Sequence, residues 1–245
     1  MSGHSKWANI KQKKGKTDAA RGSIFTKIGR ELAVAVKQGG SDPANNSRLR
    51  DVIAKAKQNN MPNDNITRSI KKASGELSGI NYEEITYEGY AAAGVAIIIE
   101  ALTDNRNRTA GELRHLLDKY GGALGQTGCV SFMFKKKGVI IVDKTDLSED
   151  DMMMLALDSG ADDVIDSDDV YEVYTSAQKL NEVAEKIKEA KVTVLTANID
   201  MIPDIQVDPK EHVVQVSKLI DLLEELDDVQ NVYHNAILPE DNTDN

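Results

Sequence analysis

Apolar residues begin to recur at three- and four-residue spacing from about Thr17, at Ile24, Ile28, Leu32, Ala35 and Val36, which predicts an amphipathic helix. At about 100° per residue, Lys27, Arg30 and Lys37 fall roughly opposite that stripe. Gly39-Gly40 supplies the stop, because glycine accepts the left-handed backbone that ends helices. Ser41-Asp42-Pro43 reads as a restart, with Asp42 as N-cap and Pro43 at the first helical position. Leu49, Val52, Ile53 and Ala56 then form a second stripe, ringed by Arg48, Arg50, Lys55 and Lys57. Met61-Pro62 ends it, since proline disfavours helix in the residue before it. Asn63 is placed to cap a third helix with Ile66, Ile70 and Ala73 inward and Arg68, Lys71 and Lys72 outward. The expectation is a three-helix bundle from about Thr17 to Ser74 and a linker over 75–81.

From Tyr82 the period changes to two. Ile85 and Tyr87 alternate with Thr86 and Glu88, and Val95 to Leu102 reads as a buried strand. Thr109 and Glu112 form a capping box before a helix through Leu113, Leu116, Leu117 and Tyr120. Gly121-Gly122 ends that helix, and Val130 to Phe134 is predicted as the next strand. Val139–Val142 then opens a β-α-β-β-α-β series. Ser148 starts its first helix and Gly160 stops it; Asp163–Ile165 and Val170–Tyr174 are short strands; Ser176 caps a helix through Ile187; Val192–Ile199 closes the series. That order is the ferredoxin-like signature. After Pro203, Asp208-Pro209 opens a helix with Val213, Val216, Ile220, Leu223 and Leu226, and Val229–His234 is the last strand.

The pattern predicts an α+β protein in which a basic three-helix domain precedes two ferredoxin-like domains, one inserted in the other. The expected boundaries are 1–80 for the arm and bundle, 81–134 with 202–240 for the discontinuous domain, and 135–201 for the inserted one.

Charge sharpens this division. The stretch Met1–Leu77 holds 16 lysines and arginines against 6 acids, a net of +10, in a chain whose net charge is −10; the remainder is therefore −20. Segregation of this kind is the electrostatic footprint of a module for phosphate backbones carried on a body that repels them. The arm Gly3–Lys16 contributes five lysines, no acid and the only tryptophan. A single cysteine, Cys129, precludes an intramolecular disulfide and fits a reducing compartment. The longest apolar run, Ala91–Ile99, is too short for a bilayer, and no apolar segment follows the N-terminal charges, so a cytoplasmic location is expected.

The opening Ser2-Gly3-His4-Ser5-Lys6-Trp7-Ala8-Asn9-Ile10-Lys11, the Lys27–Gly40 helix end and Asn60-Met61-Pro62-Asn63-Asp64-Asn65-Ile66 closely resemble the YebC/PmpR family. Its mitochondrial relative is the translational activator of cytochrome oxidase. Tyr87-Glu88-Gly89-Tyr90, Thr103-Asp104-Asn105-Arg106-Asn107-Arg108-Thr109 and Gly121-Gly122-Ala123-Leu124-Gly125 extend the likeness over the whole chain. The resemblance implies a cytoplasmic, non-enzymatic, three-domain protein. Members are described mainly as DNA-binding transcriptional regulators, and some relatives as ribosome-associated factors that relieve stalled translation.

The residues themselves offer little chemistry beyond charge. Gly122, Gly125 and Gly128 follow a helix, whereas a dinucleotide fingerprint follows a strand and opens a helix, so they read as a C-cap and tight connection. The four histidines are scattered, and one cysteine completes no zinc spacing with them. The clusters Asp150-Asp151, Asp162-Asp163 and Asp166–Asp169 lack the spaced ligands of a calcium loop and read as solvated acid. Met152-Met153-Met154 reads as core filling rather than as an adaptable binding surface. No catalytic residue, metal or cofactor is expected. The candidate nucleic-acid contacts are Lys6, Trp7, Lys11, Lys13, Lys14 and Lys16 in the arm, Lys27, Arg30 and Lys37 in the first helix, Arg48, Arg50 and Lys55 in the second, and Arg106 and Arg108. Trp7 either stacks on a base or pins the arm to the bundle, and Arg106/Arg108 either pair with Asp104 or a neighbouring domain or make a second contact. The expected partner is DNA, or ribosomal RNA on the ribosome, with a protein partner on the acidic domains.

Overall fold

The computed structural model describes residues 18–75, 81–144, 147–167 and 169–238, with side chains from Gly22 onward. Contacts divide the chain into two units. One runs up to Val130 and resumes with Pro209–His234; the other centres on Ser131–Asp208.

The first unit opens with three helices, α1 (Asp18–Gly39), α2 (Ser47–Gln58) and α3 (Asn63–Ser74). Ile28, Leu32, Ala35 and Val36 of α1 meet Leu49, Val52 and Ala56 of α2, Met61, and Ile66 and Ala73 of α3 in one buried cluster. The stop at Gly40 is as expected, with φ +84°. The restart is not. Asp42 folds a local turn by accepting from the Ala44 N–H at 2.9 Å, and α2 begins four residues later with Asn46 as its N-cap. Asn46 is buried. It accepts from Leu49 N–H at 3.0 Å and donates to Ala35 and Gly40 carbonyls at 2.7 and 2.8 Å, so one amide caps α2 and ties off α1. Nor does Asn63 cap α3: Pro62 is the N-cap and no side chain bonds there.

A four-stranded antiparallel sheet follows, from β1 (Glu83–Tyr90), β2 (Ala96–Thr103), β3 (Ala123–Leu124) and β8 (Val229–His234) in the order β3-β1-β2-β8. Helices α4 (Arg106–Lys119) and α7 (Val213–Glu225) pack on each other and supply Leu113, Leu117, Val216, Leu219 and Leu223 to the buried core. Two expectations fail here. α4 starts a turn before the proposed capping box, with Asn105 accepting from Arg108 N–H, which leaves Thr109 inside the helix and buried. Val130–Phe134 is not this sheet's third strand: Ser131–Met133 is a 3-10 turn and Phe134 belongs to the next sheet. The third strand is the two-residue β3. It lies so close to β1 that a Cβ on Gly89 would sit 2.5 Å from the Ala123 carbonyl oxygen, and one on Gly122 would sit 2.5 Å from that of Tyr90. Gly122 thus serves close packing while Gly121 and Gly128 take positive φ, +70° and +90°, and buried Glu88 fixes the loop by accepting from Gly128 and Val130 N–H, each at 2.8 Å.

In the second unit β4 (Phe134–Asp143), α5 (Glu149–Ser159), β5 (Asp163–Ser167), β6 (Val170–Ser176), α6 (Leu180–Glu189) and β7 (Val194–Pro203) form a sheet of order β5-β6-β4-β7, the ferredoxin-like arrangement. Ile140, Val142, Tyr171 and Val173 of the sheet bury against Met152 and Ala156 of α5 and Leu180, Val183, Ala184 and Ile187 of α6. Ser148 caps α5 and Gly160 ends it at φ +96°, as expected. Ser176 does not cap α6; it closes β6, and α6 begins after Lys179 without a side-chain cap. Of the three methionines only Met152 fills core, while Met153 and Met154 are 41% and 66% exposed beside exposed Leu157.

The α+β class with an N-terminal helical region stands. The first sheet takes three strands from before β4–β7 and one from after them. Among the described residues no helix is long and apolar enough to cross a membrane.

Candidate nucleic-acid interface

The expected contacts, taken with other basic residues of the first unit, fall into three groups, and in the third only Arg106 is an expected contact. Lys6, Trp7, Lys11, Lys13, Lys14 and Lys16 lie outside the described residues. A second group is drawn into contacts within the first unit. Lys27 donates to the Glu224 carbonyl at 2.6 Å, the last turn of α7 offering the oxygens that a helix C-terminus leaves unsatisfied. Arg30 donates to the Leu102 carbonyl at 3.3 Å, pairs with Asp228 and lies over the Tyr82 ring at 5.6 Å. Lys37 reaches Asn81 at 3.5 Å. Over Lys27 and Arg30 the face of α1 opposite its apolar stripe therefore meets the first sheet and α7 instead of presenting its cations to a ligand, and Val34 on that face is buried, whereas Lys37 near the helix end is exposed. Arg48 pairs with Glu84 and donates to Gln38 at 2.7 Å; Lys55 pairs with Glu31 at 2.5 Å; Arg50 donates to Pro43 and Ala44 carbonyls at 2.7 and 3.0 Å.

Asp228, just before β8, is the hub of this arrangement. Its carboxylate accepts from Thr109 Oγ1 and Arg108, both at 2.7 Å, from Thr103 Oγ1 at 2.9 Å and from Arg30, while its carbonyl accepts from Leu102 N–H at 2.7 Å. Burial raises its pKa, but the hydrogen bonds from Thr109, Arg108, Arg30 and Thr103 outweigh that and hold it at about 2. Arg108 also pairs with Asp104 at 2.8 Å, and hydrogen bonds to Asp228 and Asp104 raise its own pKa. Pairing is thus the fate of Arg108, with a distant acid as well as the adjacent one. A cleft of about 460 Å³ beside the hub is lined by Arg30 and Arg108 but also by Asp104, Glu112, Glu225, Asp227 and Asp228, and that excess of carboxylates repels phosphate.

The third group is exposed. Arg106 opens α4 and Arg114 lies two turns on, both at the surface. In the helical domain Lys57, at the end of α2, and Arg68, Lys71 and Lys72, on the outer face of α3, are exposed and make no ion pair among the described residues. The last three were legible as outward-facing, yet they were absent from the candidate contacts. Their pattern resembles that of Lys27 and Arg30, and only the tertiary structure separates the two sets. The Asp228 hub left no local signal, because its partners lie 119 to 198 residues away in sequence. Among the described residues no group of three or more histidine, cysteine, aspartate or glutamate side chains is arranged to hold a metal ion.

A helical region followed by two four-stranded sheets places the chain in one α+β class, and comparison with known proteins gives its family. The TACO1/YebC N-terminal domain matches residues 5–76, and the TACO1/YebC second and third domain matches residues 82–236. The chain belongs to the TACO1/YebC family. A probable transcriptional regulatory protein of Acetivibrio thermocellus is 60% identical over 239 residues, covering 96% of this chain and 98% of that protein. One of Clostridium tetani is 56% identical over 243 residues, covering 98% and 99%. The crystal structure of a conserved hypothetical protein from Aquifex aeolicus superposes with a TM-score of 0.84 at 46% identity, covering 98% of this chain and 100% of that one.

Proposed function

We propose that this protein is a nucleic-acid-binding regulator of gene expression, foremost a DNA-binding transcriptional regulator, and that it works without catalysis. The observation that carries the reading is the segregation of charge, +10 over Met1–Leu77 against −20 over the rest. The names of its relatives, probable transcriptional regulatory proteins, support it. In this reading the arm and the exposed cations of the helical domain hold phosphates, and the acidic sheet domains set geometry and meet a protein partner in the cytoplasm.

A second reading, a ribosome-associated translation factor that binds ribosomal RNA, has its own support. The outer face of α3 is dominated by Arg68, Lys71 and Lys72, which offers charge, while the helix's two asparagines, the residue type that reads adenine edges, are confined to its first turn as Asn63 and half-buried Asn65. Contacts of that kind position a protein without choosing a sequence. Sedimentation of cell lysate through a sucrose gradient, with and without nuclease, tests the two. A transcriptional regulator stays with the DNA fraction and moves to the top after DNase. Co-migration with ribosomal particles that survives DNase sinks the transcriptional reading, and migration at the top under every condition sinks both.

A further inference from the structure

Pairing within the chain removes Lys27, Arg30, Arg48, Lys55 and Arg108 from the cations available to a ligand, and the helical domain still carries a surface built of positive charge. We propose that the outer face of α3, Arg68, Lys71 and Lys72, is a phosphodiester-binding site. The proposal rests on the nucleic-acid reading above and names a surface for it within the folded domain, separate from the arm.

The geometry is simple. Ile66, Ile70 and Ala73 hold α3 against α1 and α2, with Ile66 and Ala73 buried, so the helix is fixed from behind. Positions 68, 71 and 72 then project together on the opposite side, as i, i+3 and i+4 neighbours do. All three are exposed, and none is engaged by an acid among the described residues. Asp64, the one acid within α3, sits in the first turn, where a carboxylate complements the helix N-terminus. The rise from Arg68 to Lys72 is about 6 Å. One strand of duplex DNA carries a charge about every 3.4 Å along its axis, so the three side chains span about two phosphates of one strand. Arg68 brings a planar fork that can take two oxygens of one phosphate, and the lysines act as point charges beside it.

A plainer role exists for two of the three. Lys71 and Lys72 lie in the last turn, where cations offset the negative end of the helix dipole. That role acts on stability and leaves ligand affinity alone, so salt dependence tells the two apart. The test uses the full chain and fluorescence anisotropy against a mixed-sequence duplex DNA and, in a parallel arm, an RNA stem-loop, each titrated over a range of salt. The triple variant Arg68→Gln, Lys71→Gln, Lys72→Gln is expected to flatten the slope of log affinity against log salt by about two units on duplex DNA, each lost phosphate contact being worth about 0.9. A control that removes three exposed cations elsewhere, Lys136→Gln, Lys179→Gln and Lys218→Gln, is expected to leave the slope within about half a unit, far from one phosphate contact. Arg68→Lys in an otherwise unchanged chain keeps the slope and loses part of the affinity.

If wild-type protein binds with a steep slope and the α3 triple matches it, the inference is overturned while the nucleic-acid reading stands on the arm. An equal loss in the control variant overturns it too, since the effect is then net charge alone. If wild type shows no salt-dependent binding to either probe, reading and inference fail together. The probe on which the triple loses most identifies the nucleic acid that the face is suited to.

Discussion

Helices α1 and α3 carry nearly the same pattern, an apolar stripe with cations opposite, and meet opposite fates. On α1 the cations Lys27 and Arg30 flank buried Val34 and end on the Glu224 and Leu102 carbonyls and on Asp228. On α3 the equivalent Arg68, Lys71 and Lys72 stay at the surface. What differs is the wall each helix faces. α1 is sandwiched between its own bundle and the first sheet, whereas α3 packs only one side. A basic helical face thus reports the availability of charge, and the tertiary partner decides whether that charge is used inside the fold or left for a ligand.

The largest effect expected from breaking this contrast lies at Asp228, whose carboxylate is 5% exposed. Asp228→Ala leaves Arg30, Arg108 and two threonine hydroxyls without their shared acceptor, and removing one member of a buried pair costs about 3 to 5 kcal/mol. Urea unfolding checks it, and a loss below about 1 kcal/mol, the scale of a surface pair, would show that the hub is dispensable. The same group sets an acid limit. Its pKa is lowered from 3.8 to about 2, so its contribution is fully present above about pH 4 and fades as pH falls toward 2. Asp228→Asn has no carboxyl to protonate. The stability gap between wild type and that variant should therefore narrow on acidification through this window; a gap that widens there contradicts the assignment.

Next in size is a matched pair of single changes. Arg30→Gln removes charge-assisted bonds to a buried carboxylate and should cost about 1.5 to 3 kcal/mol, with the salt dependence of nucleic-acid binding unchanged. Arg68→Gln should do the reverse, staying within about 0.5 kcal/mol of wild-type stability while flattening the salt slope by about one unit. Denaturation and anisotropy on the same two variants decide it: if Arg30→Gln flattens the slope and Arg68→Gln does not, the sorting of the two helices is backwards.

How far this was legible from sequence depends on range. Period and breakers predicted the three helices, the ferredoxin-like series of the second sheet and the last strand, because those signals sit within a turn or two of what they control. Caps were legible only where side chain and helix start coincide: Ser148 caps α5, but Asp42 and Ser176 spend their positions on turns, and Asn46, four residues past the proposed cap, does the capping. The two-residue β3 escaped because Ala123-Leu124 shows no alternation; Gly89 and Gly122 define it through clearance. One clue to the fate of α1 was present. Leu32-Ala33-Val34-Ala35-Val36 is apolar without interruption, the mark of a helix buried on more than one side. The α3 sequence has no such run. Pairings such as Glu88 with Gly128 and Val130, or Asp228 with Arg30, join residues far apart and are set by the fold as a whole.

The smallest expected effect is at Arg48 and Glu84, where the same sorting is probed at the surface. Arg48 pairs with Glu84 of β1, but its side chain is 37% exposed and that of Glu84 53%. Water screens such a pair and two flexible side chains must be ordered to form it, so the coupling between them should be about 0.2 to 1 kcal/mol. A double-mutant cycle with Arg48→Ala and Glu84→Ala measures it free of what each residue contributes alone. The coupling should shrink as salt rises toward about 1 M, where the screening length falls to about 3 Å. With Glu84 removed, Arg48 keeps only its neutral partner Gln38 and its charge is no longer offset, so the Glu84→Ala protein should bind duplex DNA slightly more tightly than wild type and with a marginally steeper salt slope. A coupling above about 2 kcal/mol would place Arg48 with Arg30 among the cations the fold depends on; tighter binding without any change in slope would mean that the freed guanidinium touches no phosphate.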